Sequence, residues 1–302
     1  MAGKRLDQAL ALLFPDLSRG RLQGWVEGGL VTVDDQSCRK KDKLRGGETL
    51  IVNVPDAEPE VTFEPEDIPL DIVYEDDDII VINKPANMVV HPAAGNWSGT
   101  LSNGLLFHDA SLASVPRAGI VHRLDKDTTG LMVVAKNLTA HKSLVDSLAE
   151  RDVSREYIAL VQGIIVAGDT IDAPIGRHSR DRKKMAVTIG GKEAITHYRV
   201  AARFIAHTLL EVKLETGRTH QIRVHMASMH HPIVGDPVYG GRLRLPVGAS
   251  DKLVKTLQGF RRQALHARKL GLEHPATGEF MEWSVDLPTD FAEMLELLAE
   301  CT

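Results

Sequence analysis

The groups best suited to chemistry crowd one loop: His122, Arg123, Asp125, Lys126 and Asp127. On either side lie short apolar runs, Gly119–Val121 and Leu131–Ala135, each fit for a strand. Charged side chains are seldom buried unless paired. Two strands passing through a core would therefore present a carboxylate beside cations here. A carboxylate is a poor nucleophile in water and a useful one once desolvated and positioned. The same residues also describe a hydrated turn, punctuated by Asp127-Thr128-Thr129-Gly130. Residue types alone leave the two readings level.

Further blocks follow across the C-terminal two-thirds: Arg155-Glu156-Tyr157, Gly217-Arg218-Thr219-His220-Gln221-Ile222-Arg223-Val224-His225, and Leu265-His266-Ala267. With His122-Arg123-Leu124-Asp125-Lys126-Asp127-Thr128-Thr129-Gly130-Leu131, they resemble the signature of the RluA-type pseudouridine synthases. Several blocks in order are far more specific than one short pattern. The resemblance implies that Asp125 is the catalytic carboxylate and Arg223 its partner. A buried carboxylate needs a cation to stay ionised, and an arginine fork also fixes its orientation. It further implies that Tyr157 stacks on an extruded base, and that Arg123 contacts RNA or fills the place the base vacates. The implied reaction breaks the uridine N-glycosidic bond, turns the base and rejoins it through carbon. Attack at the ribose anomeric carbon and attack at uracil C6 both remain open. No cofactor and no metal are implied. The implied partner is RNA: 23S ribosomal RNA or an assembling large subunit, with the helix 69 loop as the target. Other ribosomal or transfer RNA sites are the alternative.

Two other classes fit parts of the sequence. Asp125-Lys-Asp127-Thr-Thr129 also matches the Asp-x-Asp-x-Thr nucleophile loop of haloacid-dehalogenase-type phosphatases. That loop directly follows an apolar strand, whereas His122-Arg123 intervene here, and Gly235-Asp236-Pro237 supplies one downstream acid instead of a Mg²⁺-binding pair. A non-catalytic RNA-binding protein would not need Asp125, Tyr157 and Arg223 together in their blocks. Thirteen histidines raise the question of a metal, but no His-Glu-x-x-His spacing or paired cysteine motif occurs. His220 and His225 are expected to support the helix that carries Arg223.

The elements that must position these groups read as α+β, a mixed and mainly antiparallel sheet with flanking helices. Helices are expected over 100–108, 139–151, 219–229 and after Pro288. Strands are expected at 79–84, 156–162, 196–200 and 208–215, with a hairpin over 265–285. The basic segment Gly176–Lys184 suits either phosphate contacts or a charged hairpin tip. Residues 1–55 read as two helices, the first carrying Leu6, Leu10, Leu13 and Leu17 and the second capped by Ser18, followed by strands. With cations on the second helix and on the turn Arg39-Lys40-Lys41, this region resembles the small S4 RNA-binding module.

The net charge of -5 divides unevenly: +2 over residues 1–55, -11 over 56–78 and +4 over 79–302. Both flanking parts are mildly basic, which permits a nucleic-acid partner. The acidic stretch 56–78 reads as an extended linker between the two domains. Two distant cysteines, Cys38 and Cys301, argue against a disulfide framework. With no signal peptide and no membrane-spanning run, the expectation is a cytoplasmic monomer.

Overall fold

The computed structural model describes residues 1–14, 19–53, 64–92, 97–181 and 184–301. They fall into two units, Met1–Thr62 and Phe63–Thr302. In the smaller unit, α1 (Leu6–Leu13) and α2 (Arg19–Glu27) bring Leu6, Leu10, Leu22 and Trp25 into one core with Val31. Strands β1 (Val31–Val33), β2 (Gln36–Ser37) and β3 (Leu50–Val52) form an antiparallel sheet in the order β2-β1-β3. The helix expected to run through Leu17 stops at Leu13, which is half exposed. Leu17, Ser18 and the side chains of Arg19 and Arg21 lie outside the described residues.

The larger unit opens with β4 (Ile72–Glu75), β5 (Ile79–Lys84) and α3 (Leu101–His108). Then come β6 (Thr129–Ala135), α4 (Leu138–Glu150), β7 (Ser154–Gln162), β8 (Asp169–Asp172), β9 (Ile175–Arg177) and β10 (Met185–Val187). The remainder is β11 (Ile195–Arg203), β12 (His207–Leu214), α5 (Gln221–Ser228), α6 (Asp251–Gly259), β13 (Leu265–Glu273), β14 (Phe280–Ser284) and α7 (Thr289–Ala299). Eight strands follow the order β4-β5-β6-β13-β7-β12-β11-β8, and β14 pairs the second half of β13. The β6–β13 pairing is parallel and the other pairings of this sheet are antiparallel. This is the expected mixed, mainly antiparallel architecture.

Side chains alternate across a strand, so the continuous apolar runs of β5 and β6 serve two cores. Ile80, Ile82, Met132 and Val134 pack with α3, α6 and α7 on one face. Ile79, Val81, Leu131, Val133 and Ala135 pack with Ala140 and Leu144 of α4 on the other. A strand covered on both faces cannot drift in register without moving both cores. That rigidity reaches the loop that precedes β6.

Three expectations change. Residues 64–78 do not act as linker but belong to the larger unit. Their acids alternate with Ile68, Leu70, Ile72 and Tyr74, and Leu70, Ile72 and Tyr74 pack against the two cores. Periodicity outweighs charge there. Residues 54–63 lie outside the described residues. Gly119–Val121 is not a strand: Gly119 ends a tight turn in which Arg117 and Ala118 take left-handed conformations, and Ile120 makes a single bridge to Val134. Helix α6 went unread because Leu253 and Leu257 alone make its fully buried stripe; Ser250 caps it by accepting from the Leu253 N–H at 3.2 Å.

Candidate active site

The loop from His122 to Thr128 is held from several sides. Thr128 donates its N–H to the Asp125 carbonyl at 3.1 Å, which closes a turn. Its hydroxyl accepts from Gln263 Nε2 at 2.8 Å, and Thr129 Oγ1 is hydrogen-bonded to His266 Nδ1 at 2.8 Å. Lys84, at the end of β5, is completely buried and donates to the carbonyls of Pro85, Met88 and Lys126 at 2.8, 3.1 and 2.9 Å. Burial pulls its ammonium down to about 7, against the opposing pull of Asp127 and Asp125. His122 Nε2 accepts from the Val133 N–H at 3.0 Å, so its proton sits on Nδ1. Burial, reinforced by Arg155, lowers this imidazole to about 3 and keeps it neutral.

Arg223 comes from α5, whose start is fixed by Gln221. That amide donates to Ile195 O and Thr196 Oγ1 and accepts from the Arg218 N–H and Thr216 Oγ1. The Arg223 side chain is 5% exposed and bridges two carboxylates. Its Nε and Nη2 fork onto Asp236 at 2.7 and 2.9 Å, while Nη1 donates to Asp125 Oδ2 at 2.8 Å. Asp236 also accepts the N–H groups of Val238 and Tyr239 at 2.8 and 3.0 Å. Burial opposes charge on both members. Asp236 and Asp125 nevertheless raise the Arg223 guanidinium above its ordinary value, and Arg223 with the backbone donors lowers Asp236. The Arg223 Cζ lies 5.1 Å from the Tyr239 ring centroid, adding a cation–π contact. Asp125 is thus held by a cation that is itself fixed.

Asp125 opens into a cavity of about 650 Å³ lined by His91, Arg117, Arg123, Arg155, Tyr157, Arg218, His220 and Arg223, among others. All four site residues expected from the sequence therefore share one cavity. Arg123 is exposed at its wall. Tyr157, on β7, is 6% exposed, and burial raises its phenol, so it stays protonated. Five arginines around the Asp125 carboxylate suit a polyanion whose reacting atom is brought to it.

Asp236 is the site member that sequence reading missed as a partner of Arg223. In the sequence, Gly235-Asp236-Pro237 reads only as a turn that carries one acid. Its full engagement by Arg223 also removes it as a cation ligand beside Asp125, so the phosphatase arrangement does not form. His225 supports α5 as expected, bonding Thr196 Oγ1 and Ala173 O at 2.9 Å each, whereas His220 faces Asp125. Among the described residues, the acid–histidine group Asp76, Asp78 and His274 could surround an ion. It is already knit as a turn: Asp76 accepts from the Asp78 and Ile79 N–H groups, from Tyr74 Oη and from His274 Nε2. The basic segment Gly176–Lys184 starts in β9 and ends just before β10, its antiparallel partner, with residues 182–183 outside the described residues.

Comparison with known proteins agrees with the geometry. Residues 78–228 match the RNA pseudouridylate synthase family, and residues 4–50 match the S4 domain. The ribosomal large subunit pseudouridine synthase D of Pseudomonas aeruginosa is 59% identical over 302 residues, spanning 99% of this chain and 93% of the relative. Its Escherichia coli K12 counterpart is 56% identical over 297 residues, spanning 98% and 91%. Among solved structures, human RNA pseudouridylate synthase domain containing 4 superposes with a TM-score of 0.59 at 26% identity, covering 76% of this chain and 92% of that one. Human domain containing 1 gives 0.56 at 28% identity, covering 73% and 84%. The chain belongs to the RNA pseudouridylate synthase family and is an RNA pseudouridine synthase with an S4 domain in its N-terminal unit.

Proposed function

We propose that this enzyme isomerises uridine to pseudouridine in large-subunit ribosomal RNA, at the helix 69 loop of 23S rRNA, with Asp125 as nucleophile. The observation that carries the chemistry is the Asp125–Arg223–Asp236 bridge at the floor of an arginine-lined cavity. Arg223 engages Oδ2 of Asp125, which leaves Oδ1 as the attacking oxygen. The carboxylate adds to an electrophilic carbon of the target nucleotide, ribose C1′ or uracil C6, and the C1′–N1 bond breaks; the base turns, C5 bonds to C1′, the bond to Asp125 breaks, and C5 gives up its proton as N1 gains one. Tyr157 offers the flipped base an aromatic face, and exposed Arg123 occupies the gap the base leaves in the RNA. The ribosomal target rests on relatives of near-full coverage named for the large subunit. No helix among the described residues is long and apolar enough to cross a membrane, and a cytoplasmic, monomeric enzyme fits this role.

The test is pseudouridine mapping on unmodified 23S rRNA with wild type and Asp125→Asn, in buffer containing a chelator. The expected result is wild-type signal in the helix 69 loop and none from the variant. Signal at other RNA positions would move the target, and an active variant would remove Asp125 from the nucleophile role.

A further inference from the structure

Tyr239 ties together several parts of the site. Its hydroxyl accepts the N–H of Met185, at the start of β10, at 2.9 Å and is hydrogen-bonded to His220 Nδ1 at 2.9 Å. Its ring meets the His220 ring edge-on at 5.6 Å between centroids. A phenol has one proton to donate. The Met185 amide donates only, so of the two groups bonded to the hydroxyl only His220 Nδ1 can accept that proton. With Nδ1 as acceptor, the imidazole's own proton sits on Nε2, the nitrogen 3.8 Å from Asp125 Oδ1 at the cavity wall. That separation is too long for a hydrogen bond, so among the described residues the Nε2–H has no hydrogen-bond partner, and it lies beside the Asp125 oxygen that Arg223 does not engage.

We infer that His220 contacts substrate in this reaction, its Nε2–H held by Tyr239 as the donor to an acceptor oxygen of the target nucleotide, next to the carbon that Asp125 attacks. This rests on the nucleophile reading above. Tyr239 acts through His220 and is a positioning residue. The backbone supports the assignment: His220 takes a left-handed conformation, φ 58°, at the head of α5. Burial, aided by Arg223 and Arg123, also holds the imidazole below its ordinary value against the pull of Asp125 and Asp236, favouring the neutral ring that a single fixed tautomer requires.

Two substitutions separate donor from scaffold. Glutamine places an amide N–H near the Nε2 position, whereas asparagine tolerates the left-handed backbone but stops near Nδ1. At saturating RNA, His220→Gln is expected to keep its single-turnover rate within about fivefold of wild type, and His220→Asn to lose at least about tenfold, the worth of one hydrogen bond. RNA Kd should stay within about twofold for both. Equal rates for the two variants, fast or slow, would overturn the donor role. In wild type, ¹⁵N resonances of His220 should show a protonated Nε2 and a bare Nδ1, and Tyr239→Phe should mix the tautomers. A protonated Nδ1 in wild type would overturn the assignment. Turnover by Asp125→Asn would instead defeat the nucleophile reading, while the tautomer measurement would still decide the role of Tyr239.

Discussion

At the scale of single residues, the site depends on one guanidinium shared between two carboxylates. Arg223 has three nitrogens in use, two on Asp236 and one on Asp125. Lysine, a point charge, cannot reproduce that geometry. Arg223→Lys should therefore cost at least about 100-fold in single-turnover rate, the scale of a misplaced reacting group. Asp236→Asn probes the same bridge from behind. It leaves a buried guanidinium without its bidentate partner, so stability should fall by about 3 kcal/mol, read from urea unfolding, with a parallel loss of rate. A fully active, fully stable Asp236→Asn would mean that Asp125 does not rely on this anchor. The sequence singles out Asp125, Arg123, Tyr157 and Arg223, which the structure gathers at one cavity, because each stands in a block of distinctive neighbours. Asp236 was not legible there, since an acid between Gly235 and Pro237 reads as an ordinary surface turn. Lys84 was hidden as well. Its strand visibly stops at Pro85, yet nothing local reveals that the ammonium turns inward to hold the Lys126 carbonyl 42 residues away.

At the scale of elements, the Asp125 loop is placed by the junction of β6 with β13, the parallel pairing in an otherwise antiparallel sheet. His266 pairs with Thr129 and Ala267 with Gly130 in that register. Gly130 has φ 109°, and a Cβ there would collide with the Ala267 carbonyl. Gly130→Ala should accordingly destabilise by at least about 3 kcal/mol, combining overpacking with backbone strain. The displacement falls five residues beyond Asp125, so activity at a temperature where the variant stays folded should drop too. Unfolding curves with single-turnover assays test both halves, and a variant as stable as wild type would contradict the tight junction. Strands and long helices were readable because apolar periodicity is a local property. The β6–β13 contact was not, because it joins residues about 137 apart, as in the Thr129–His266 bond. The acidic run also misled for a physical reason. Charge density suggests an extended chain, but alternate residues from Ile68 to Tyr74 bury enough apolar surface to hold it on the sheet.

At the scale of the whole molecule, stability depends on groups outside the Asp125–Arg223–Asp236 bridge. His207 and His266 are fully buried, and burial lowers each imidazole from 6.5 to about 4. Neither nitrogen of His207 has a hydrogen-bond partner among the described residues. Between pH 6.5 and 4 the unfolded chain binds more protons at these two positions. Stability must therefore fall as pH drops through that window, by at most about 1.4 kcal/mol per pH unit for each. Asp76, held at about 2 by backbone donors, Tyr74 and His274 against its own burial, acts only below its ordinary 3.8 and does not offset the loss. The urea midpoint should be lower at pH 5 than at pH 7, and His207→Gln should shrink the difference; equal midpoints would contradict the buried neutral state. RNA binding divides differently, because the formal charge of -5 is unevenly spread along the chain. Residues 1–55 and 79–302 carry net +2 and +4, and the excess of acid falls in residues 56–78, of which 64–78 belong to the larger unit. Phosphate contacts add affinity without sequence information and weaken with salt. The larger unit has its own cores and carries Asp125, Arg223 and Asp236 complete. Removing residues 1–62 should thus leave the single-turnover rate at saturating RNA within about threefold, since no interaction at the reacting atoms is lost. Affinity for whole rRNA should fall at least about tenfold, and its salt dependence should flatten as phosphate contacts disappear. A truncated enzyme with unchanged affinity and salt slope would mean that the S4 unit does not hold the RNA, leaving substrate capture to the arginines around Asp125.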